Sequence, residues 1–228
     1  MSSRVACVIP AYRAAGTLDQ VVRVLRVVLP RARIVIVDDG SPDETTAIAG
    51  AVADRAIGFS HNQGKGAALR AGFADVVREG DDVALTLDAD GQHDPRYAPA
   101  LLAALENHDV VLGRRGRSGS AMPLGRRVTN AMSSLAIAHV TGIRLNDTQS
   151  GFRAIRRRVL EQIDARGDRY EFETDFLIRA ARAGFRIGSV AVPTVYGVTS
   201  HFRGMRDSAR IVKAIWAHRR GTAGVRTH

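Results

Sequence analysis

Val83-Ala-Leu-Thr-Leu-Asp-Ala-Asp-Gly-Gln-His-Asp-Pro95 decides the fold. Val83 to Leu87 predict a short buried strand, which stops at two aspartates and a glycine. The same design occurs twice upstream. Val5-Ala-Cys-Val-Ile9 runs into Pro10-Ala-Tyr12, and Ile34-Val-Ile-Val37 runs into Asp38-Asp39-Gly40. Helical patterns lie between them. Leu18, Val21, Val22, Leu25, Val28 and Leu29 share one face until Pro30. Ser41 predicts an N-cap, with Pro42 at the first helical position and Glu44 completing a capping box. A short strand near residues 56–60 leads to Gly64-Lys65-Gly66 and a helix to about Arg78. Apolar strands alternating with helices predict an α/β protein with a mainly parallel sheet flanked by helices. Such sheets bind ligands beyond the carboxyl ends of their strands. Here those ends carry acids.

The 228 residues suit one compact domain. With 45% hydrophobic and 25% charged residues, composition excludes a wholly disordered chain, a collagen-like repeat and a membrane bundle. The longest nearly apolar stretch, Ala131 to Ile143, is too short to span a bilayer. Met1-Ser2-Ser3-Arg4 has no signal-peptide character, and one cysteine, Cys7, forms no internal disulfide, so a reduced cytoplasmic setting is expected. The formal charge is +10, and only Lys65 and Lys213 are lysines. Codon usage explains arginine over lysine as readily as function does. Position says more. Residues 113–127 hold Arg114, Arg115, Arg117, Arg126 and Arg127 with no acid, and residues 203–228 are also strongly basic. The remainder is close to neutral. A localised basic surface calls for an anionic partner: phosphate, nucleic acid or acidic membrane.

Asp88 and Asp90, followed by Gln92 and Asp94, offer the oxygen donors that suit Mg2+ or Mn2+. An acidic turn between strand and helix has the same composition. His93 beside it is a further candidate ligand or a solvated side chain. Asp38-Asp39 can accept hydrogen bonds from a nucleobase edge or a ribose hydroxyl, or simply form a turn. Gly64-Lys65-Gly66 is no P-loop, because the earlier glycine and the following Ser or Thr are missing. No GxGxxG follows the first strand.

Taken in order, Pro10-Ala-Tyr12, Val37-Asp-Asp-Gly-Ser-Pro-Asp43, Asn62-Gln-Gly-Lys-Gly66, Leu87-Asp-Ala-Asp-Gly-Gln-His-Asp-Pro95 and Asp147-Thr-Gln-Ser-Gly-Phe-Arg153 are specific. This set resembles the family 2 glycosyltransferases of GT-A fold, near the branch that transfers sugars to dolichol or polyprenyl phosphate. The resemblance spans roughly residues 4 to 203. It implies a nucleotide pocket at Pro10, Ala11, Tyr12, Val37 and Asp39, with Lys65 in a matching glycine-rich segment. It implies donor binding at Asp88, Ala89 and Asp90, and a divalent cation, Mg2+ or Mn2+, at Asp88, Asp90 and Gln92. It implies contacts to donor and acceptor phosphates from Arg115 and Arg127, with Arg117, Arg126, and late in the domain His201 and Arg203, as further contacts to the acceptor phosphate. The implied partners are a UDP- or GDP-linked sugar and a polyprenyl phosphate. The family often continues Pro-x-Tyr with Asn-Glu, where this chain has Arg13 and Ala14. Ala14 cannot accept from a guanine edge, which favours uridine. Thr194 replaces an arginine of the dolichol-phosphate mannose synthases, and Ser200-His-Phe-Arg203 can supply that charge.

A hydroxyl acceptor needs a general base, whereas a phosphate acceptor does not. Glu173 and Asp175 are the candidate bases. Glu173 falls among Phe172, Phe176, Leu177 and Ala180, the apolar face of a helix starting near Glu171. Asp175 can instead pair with Arg179 four residues on. Asp147 is read as an acceptor-loop residue or a helix N-cap. From Arg206 to Arg219, Ile211, Val212, Ile215 and Trp216 form an apolar stripe flanked by Arg206, Arg210, Lys213 and Arg219. That predicts a basic C-terminal helix lying on an anionic membrane, or packed on the domain or in a homodimer. The expected division is residues 1–204 as the GT-A domain and 205–228 as a basic amphipathic extension. The rival enzyme reading is transfer to a sugar or glycolipid hydroxyl. Nucleic-acid binding, suggested by charge, lacks a motif, and 5% aromatic residues leave few stacking platforms.

Overall fold

The computed structural model describes residues 3–115, 134, 138, 147, 148, 150–169 and 171–193. Strands β1 (Val5–Ala11), β2 (Arg33–Asp38), β3 (Arg55–Gly58), β4 (Val83–Thr86), β5 (Val110–Arg115), β6 (Arg153–Arg156) and β7 (Ile187–Val192) form one sheet in the order β3-β2-β1-β4-β6-β5-β7. All pairings are parallel except those of β6 with β4 and β5. The helices are α1 (Leu18–Val28), α2 (Thr45–Val52), α3 (Lys65–Glu79), α4 (Ala98–Ala104), α5 (Arg157–Gln162) and α6 (Glu171–Arg182). The sheet is therefore mixed and mainly parallel, as the strand–helix alternation predicts. Among the described residues, no helix is long and apolar enough to cross a membrane.

Two apolar layers cover the sheet. One joins Cys7, Ile9, Ile34, Ile36 and Leu85 to Leu18, Val21, Val22 and Leu25 of α1. The other joins Ala6, Val8, Val35 and Ala84 to Leu69, Phe73 and Val76 of α3 and Phe172 and Phe176 of α6. Alternate residues of β1 thus face opposite layers, as the strand period requires. Gly72 lets α3 approach β1 closely, because a Cβ there would strike Val8 Cγ1. Burial pushes the Cys7 thiol up to about 12, the nearby Arg26 charge only partly opposing it.

Pro10 is tolerated within β1 for a local reason. Val8 accepts from the Leu87 N–H on the β4 side, and the β4 ladder ends there. Two residues on, the missing donor of Pro10 faces the same side, past the last partner.

Two local expectations are corrected. The capping box at Ser41 does not form: α2 begins at Thr45, and Asp43 accepts from the Thr45 N–H and hydroxyl. Ser41 is drawn away because its hydroxyl donates to Asp38 at 2.5 Å. Asp147 caps no helix. It takes a positive φ of 62°, accepts the Ser150 N–H through its carbonyl, and its segment runs into β6.

The amino-terminal edge of the sheet is held by ion pairs. Arg33 opens β2 and meets Asp75 at 2.6 Å and Asp81 at 2.5 Å, both nearly inaccessible. Arg78 and Arg55 share Asp75, and Arg4 reaches Asp81. Arg33→Met leaves Asp75 with Arg78 and Arg55 and Asp81 with Arg4, so it should cost part of the about 3–5 kcal/mol of a broken buried pair, whereas an exposed pair contributes about 0–1 kcal/mol. Arg33→Met should therefore lower the urea midpoint more than Arg23→Ala, which loses only the surface pair with Asp19. Equal shifts would contradict this account.

Candidate functional site

Three strand ends meet at the carboxyl edge. β1 lies between β2 and β4, so Tyr12, Asp39 and Asp88 emerge side by side where the strand order reverses. Tyr12 is half-buried, with the Arg13 guanidinium 5.4 Å from its ring centre. Arg13 adopts a positive φ of 51° and donates its N–H to the Ser41 hydroxyl. Pro10 is half-buried, while Ala11 and Val37 are buried, Val37 beneath Gly72. Ala14 is buried and donates its N–H to Thr45.

The two aspartates ending β2 are both engaged. Asp38 accepts from the Ser41 N–H and hydroxyl and from Thr46. Asp39 accepts from Asn62 Nδ2 at 2.8 Å, Gln63 N at 2.7 Å and Gly64 N at 2.9 Å. Burial raises the Asp39 pKa despite those N–H donors. Asp39 thus fastens the segment before α3. Gly64 there needs its positive φ of 109°, and a Cβ would collide with the Asp168 carbonyl.

Asp88 sits at the end of β4 in a chain of charges. Its Oδ1 is 2.7 Å from Lys65 Nζ. Lys65 is also 3.3 Å from Glu173 Oε1, and that oxygen is 3.3 Å from Arg153 Nη2. Glu173 is 2% exposed, so its place on the apolar face of α6 is explained by these two cations. Its Oε2 has no hydrogen-bond partner among the described residues. Arg153, also buried, donates to the carbonyls of Ser150, Thr148 and Glu173, which ties Thr148 and Ser150 to α6. Desolvation alone would raise the Asp88 pKa. The charges of Lys65, His93 and Arg153, with the Lys65 hydrogen bond, outweigh it and hold the carboxyl below its ordinary value.

The rest of the acidic turn is ordered too. The Ala89 carbonyl accepts from the Thr17 hydroxyl at 2.6 Å, and Asp90 Oδ1 accepts the Gln92 N–H at 3.0 Å. Gln92 and His93 are buried, His93 against Phe152 with ring centres 5.7 Å apart. Asp94 caps the short 3-10 turn Pro95–Tyr97. Among the described residues, no three His, Cys, Asp or Glu side chains gather as a metal cage. Asp88 is already paired with Lys65. Asp90, half-buried beside Gln92 and Asp94, still offers oxygen donors of the kind that suit a hard cation.

Asp175 lies elsewhere on α6. Its Oδ2 accepts from Arg179 Nε at 2.6 Å and from the Arg166 N–H at 2.7 Å. The expected i,i+4 pair therefore forms. Of the two candidate bases, Glu173 is the one joined to Asp88 through Lys65. The sequence places Lys65 with the donor-binding residues without deriving what it does there, and gives Arg153 no role. One signal was present: a lysine opening a helix opposes the helix dipole and needs acids nearby. The Arg115 backbone ends β5, paired with Val192, but its side chain lies outside the described residues. So do Arg117, Arg126, Arg127, Thr194, His201, Arg203, the 204/205 boundary and the Arg206–Arg219 stripe with Trp216.

Residues 6–164 match the family described as Glycosyl transferase family 2. The chain is 34% identical to the undecaprenyl-phosphate mannosyltransferase of Micrococcus luteus, over 84% of each protein. It is 33% identical to the polyprenol monophosphomannose synthase of Mycolicibacterium smegmatis, over 84% of this chain and 77% of that one. It is 31% identical to a UDP-N-acetylglucosamine–dolichyl-phosphate N-acetylglucosaminyltransferase of Methanococcus voltae, over 86% and 88%. Among solved structures, glucosyl-3-phosphoglycerate synthase of Mycobacterium tuberculosis with Mn2+, UDP and glucosyl-3-phosphoglycerate superposes with a TM-score of 0.74 at 20% identity. That match covers 95% of this chain and 80% of that one. The same enzyme with Mg2+ and UDP gives 0.76.

Gly151 backs the Asp88 carboxylate so closely that a Cβ would overlap it. Gly50, inside α2, would meet nothing. Gly151→Ala should therefore destabilise by about 1–3 kcal/mol. Gly50→Ala should stabilise by up to about 1 kcal/mol through helix propensity. Opposite shifts of the urea midpoint check this; a neutral Gly151→Ala would mean that the backbone does not confine Asp88.

Proposed function

The chain belongs to glycosyl transferase family 2 and has the GT-A fold, and from that premise we propose that it moves a sugar from a nucleotide-sugar to a polyprenyl phosphate. The transfer inverts the anomeric carbon and depends on a divalent cation, Mg2+ or Mn2+. The polyprenyl-phosphate, polyprenol and dolichyl-phosphate enzymes among its relatives support that acceptor. Ala14, in place of a glutamate that could accept from guanine, favours UDP over GDP in the donor.

The state of the two candidate bases carries the reading. Asp175 is held by Arg179 and the Arg166 N–H, and Glu173 Oε1 is shared by Lys65 and Arg153. Both carboxylates serve as counterions. A hydroxyl acceptor would have to give its proton to one of them. A phosphate acceptor would not. A phosphomonoester loses its second proton near pH ~6 and is mostly dianionic at neutral pH. Its oxygen attacks the anomeric carbon as the bond to the donor diphosphate breaks on the opposite face, which inverts the configuration.

In this scheme Tyr12, with Pro10, Ala11, Val37 and Asp39, forms the nucleotide end. Asp88, Ala89, Asp90 and Gln92 face the diphosphate. A cation held at Asp90 would offset charge growing on the leaving diphosphate. Arg115, Arg117, Arg126 and Arg127, with His201 and Arg203, bring the acceptor phosphate up to the donor, because guanidinium groups can grip phosphate with two parallel donors. Residues 205–228 hold the 1–204 domain at the cytoplasmic face of an anionic membrane, where the lipid acceptor resides.

The test is transfer of radiolabelled sugar from a panel of UDP- and GDP-sugars into organic-extractable polyprenyl phosphate. Product should form with a UDP-sugar, vanish in EDTA and return with Mn2+ or Mg2+. Asp175→Asn should keep appreciable turnover. A loss of about 10²–10⁴-fold with donor binding intact would instead identify a general base and a hydroxyl acceptor.

A further inference from the structure

We infer that Lys65 and Glu173 are positioning residues that act through Asp88, a role that rests on the sugar-transfer reading above. Lys65 opens α3, where the positive end of the helix dipole disfavours a cation. Helix propensity therefore does not explain its place. Two acids do. Asp88 Oδ1 lies 2.7 Å from its ammonium and Glu173 Oε1 lies 3.3 Å away.

Glu173 is the fixed end of this relay. It is buried on α6, and the same Oε1 meets Arg153, itself anchored by the Ser150, Thr148 and Glu173 carbonyls. Charges alternate along Arg153, Glu173, Lys65 and Asp88, so the four groups sum to neutrality. On its other side Asp88 meets the backbone of Gly151, whose carbonyl accepts from Thr86 at 2.7 Å. The carboxylate is thus held between an ammonium and a glycine peptide.

Two consequences follow for the acidic turn. Asp88 and Asp90 are two residues apart, and their mutual repulsion is reduced once Lys65 offsets one of them. The orientation of Asp88 is set before a donor arrives, so no ordering of that side chain is left to the transfer step. Glu173 is then a counterion for Lys65 and accepts no proton in the reaction.

The experiment is a double-mutant cycle with Lys65→Met, Asp88→Asn and the pair, plus Lys65→Arg and Glu173→Gln. Two readouts are taken: donor kcat and KM in the transfer assay, and the urea midpoint of protein in EDTA. Lys65→Met should lower kcat roughly tenfold or more, the scale of a directly coupled pair, and change donor KM less. In the Asp88→Asn background the same change should cost under about twofold. Lys65→Arg should recover most of the loss. Glu173→Gln should lower kcat without deleting an ionisation from the pH profile. In EDTA, the midpoint losses of Lys65→Met and Asp88→Asn should sum to more than the loss of the pair.

An undiminished Lys65→Met effect in the Asp88→Asn background would overturn the inference. So would a pH profile that loses its acidic limb in Glu173→Gln, because an essential base gives the rise in rate through its own pKa. If Lys65→Met fails to fold, Lys65→Arg and Glu173→Gln decide through kcat and the pH profile. If the wild type transfers no sugar, the functional reading fails. The midpoint cycle still decides the structural relay: non-additive losses support it and additive losses refute it.

Discussion

The carboxyl edge of the sheet depends on the ion pair between Lys65 and Asp88. Lys65 belongs to the glycine-rich start of α3, Asp88 to the end of β4, and the pair joins two elements more than twenty residues apart in sequence. Glu173 and Arg153 extend it to α6 and β6. Four separate segments are therefore fixed relative to one carboxylate. The glycines around them fit this arrangement: Gly66 lies against Phe172 and the Asp168 backbone, and Gly151 against Asp88, with no room for a Cβ at either position.

The two edges of the sheet use acids differently. At the amino edge, Asp54 accepts the Ile34 N–H and pairs with Arg26, and Asp109 accepts the Arg186 N–H and pairs with Arg158. For both, desolvation opposes ionisation, but arginine and N–H partners outweigh it and lower the pKa. Asp75 and Asp81 are buried under arginines as well. These pairs hold the strand starts together. At the carboxyl edge, Asp39 secures the 62–64 segment and Asp88 the α3–α6 junction. The acidic turn at Asp90 stays half-buried, and that is where the proposed donor diphosphate meets the protein.

The strands and the long helices were legible because hydrophobic period fixes them. β1, β2, β4, α1 and α3 lie where their apolar patterns predict. The family was legible because its motifs occur in order along the chain. Local hydrogen-bond competition was not legible. Ser41 has the residues of a capping box, yet the Asp38 carboxylate captures its hydroxyl, and α2 starts four residues later. The antiparallel β6 takes the place of the helix option at Asp147 because Arg153–Arg156 pair with β4 and β5, partners distant in sequence. Lys65 and Glu173 illustrate the same limit. Each looks anomalous alone, a cation at a helix N-terminus and an acid on an apolar face, and only their proximity explains both. The basic segments 113–127 and 203–228 are legible as charge, as family positions at Arg115, Arg127 and His201, and as the apolar stripe of 206–219.

The central claim is that this edge, with Asp88 pre-held by Lys65, binds a nucleoside diphosphate through a divalent cation at Asp90. A crystal grown with Mn2+ and UDP, with data collected at the manganese edge, tests it directly. The account predicts one anomalous peak within coordination distance of an Asp90 oxygen and the diphosphate, with Lys65 still beside Asp88 or Glu173. UDP bound at the β1–β4 edge with no manganese peak near Asp90, or with Lys65 turned away from both acids, would contradict it.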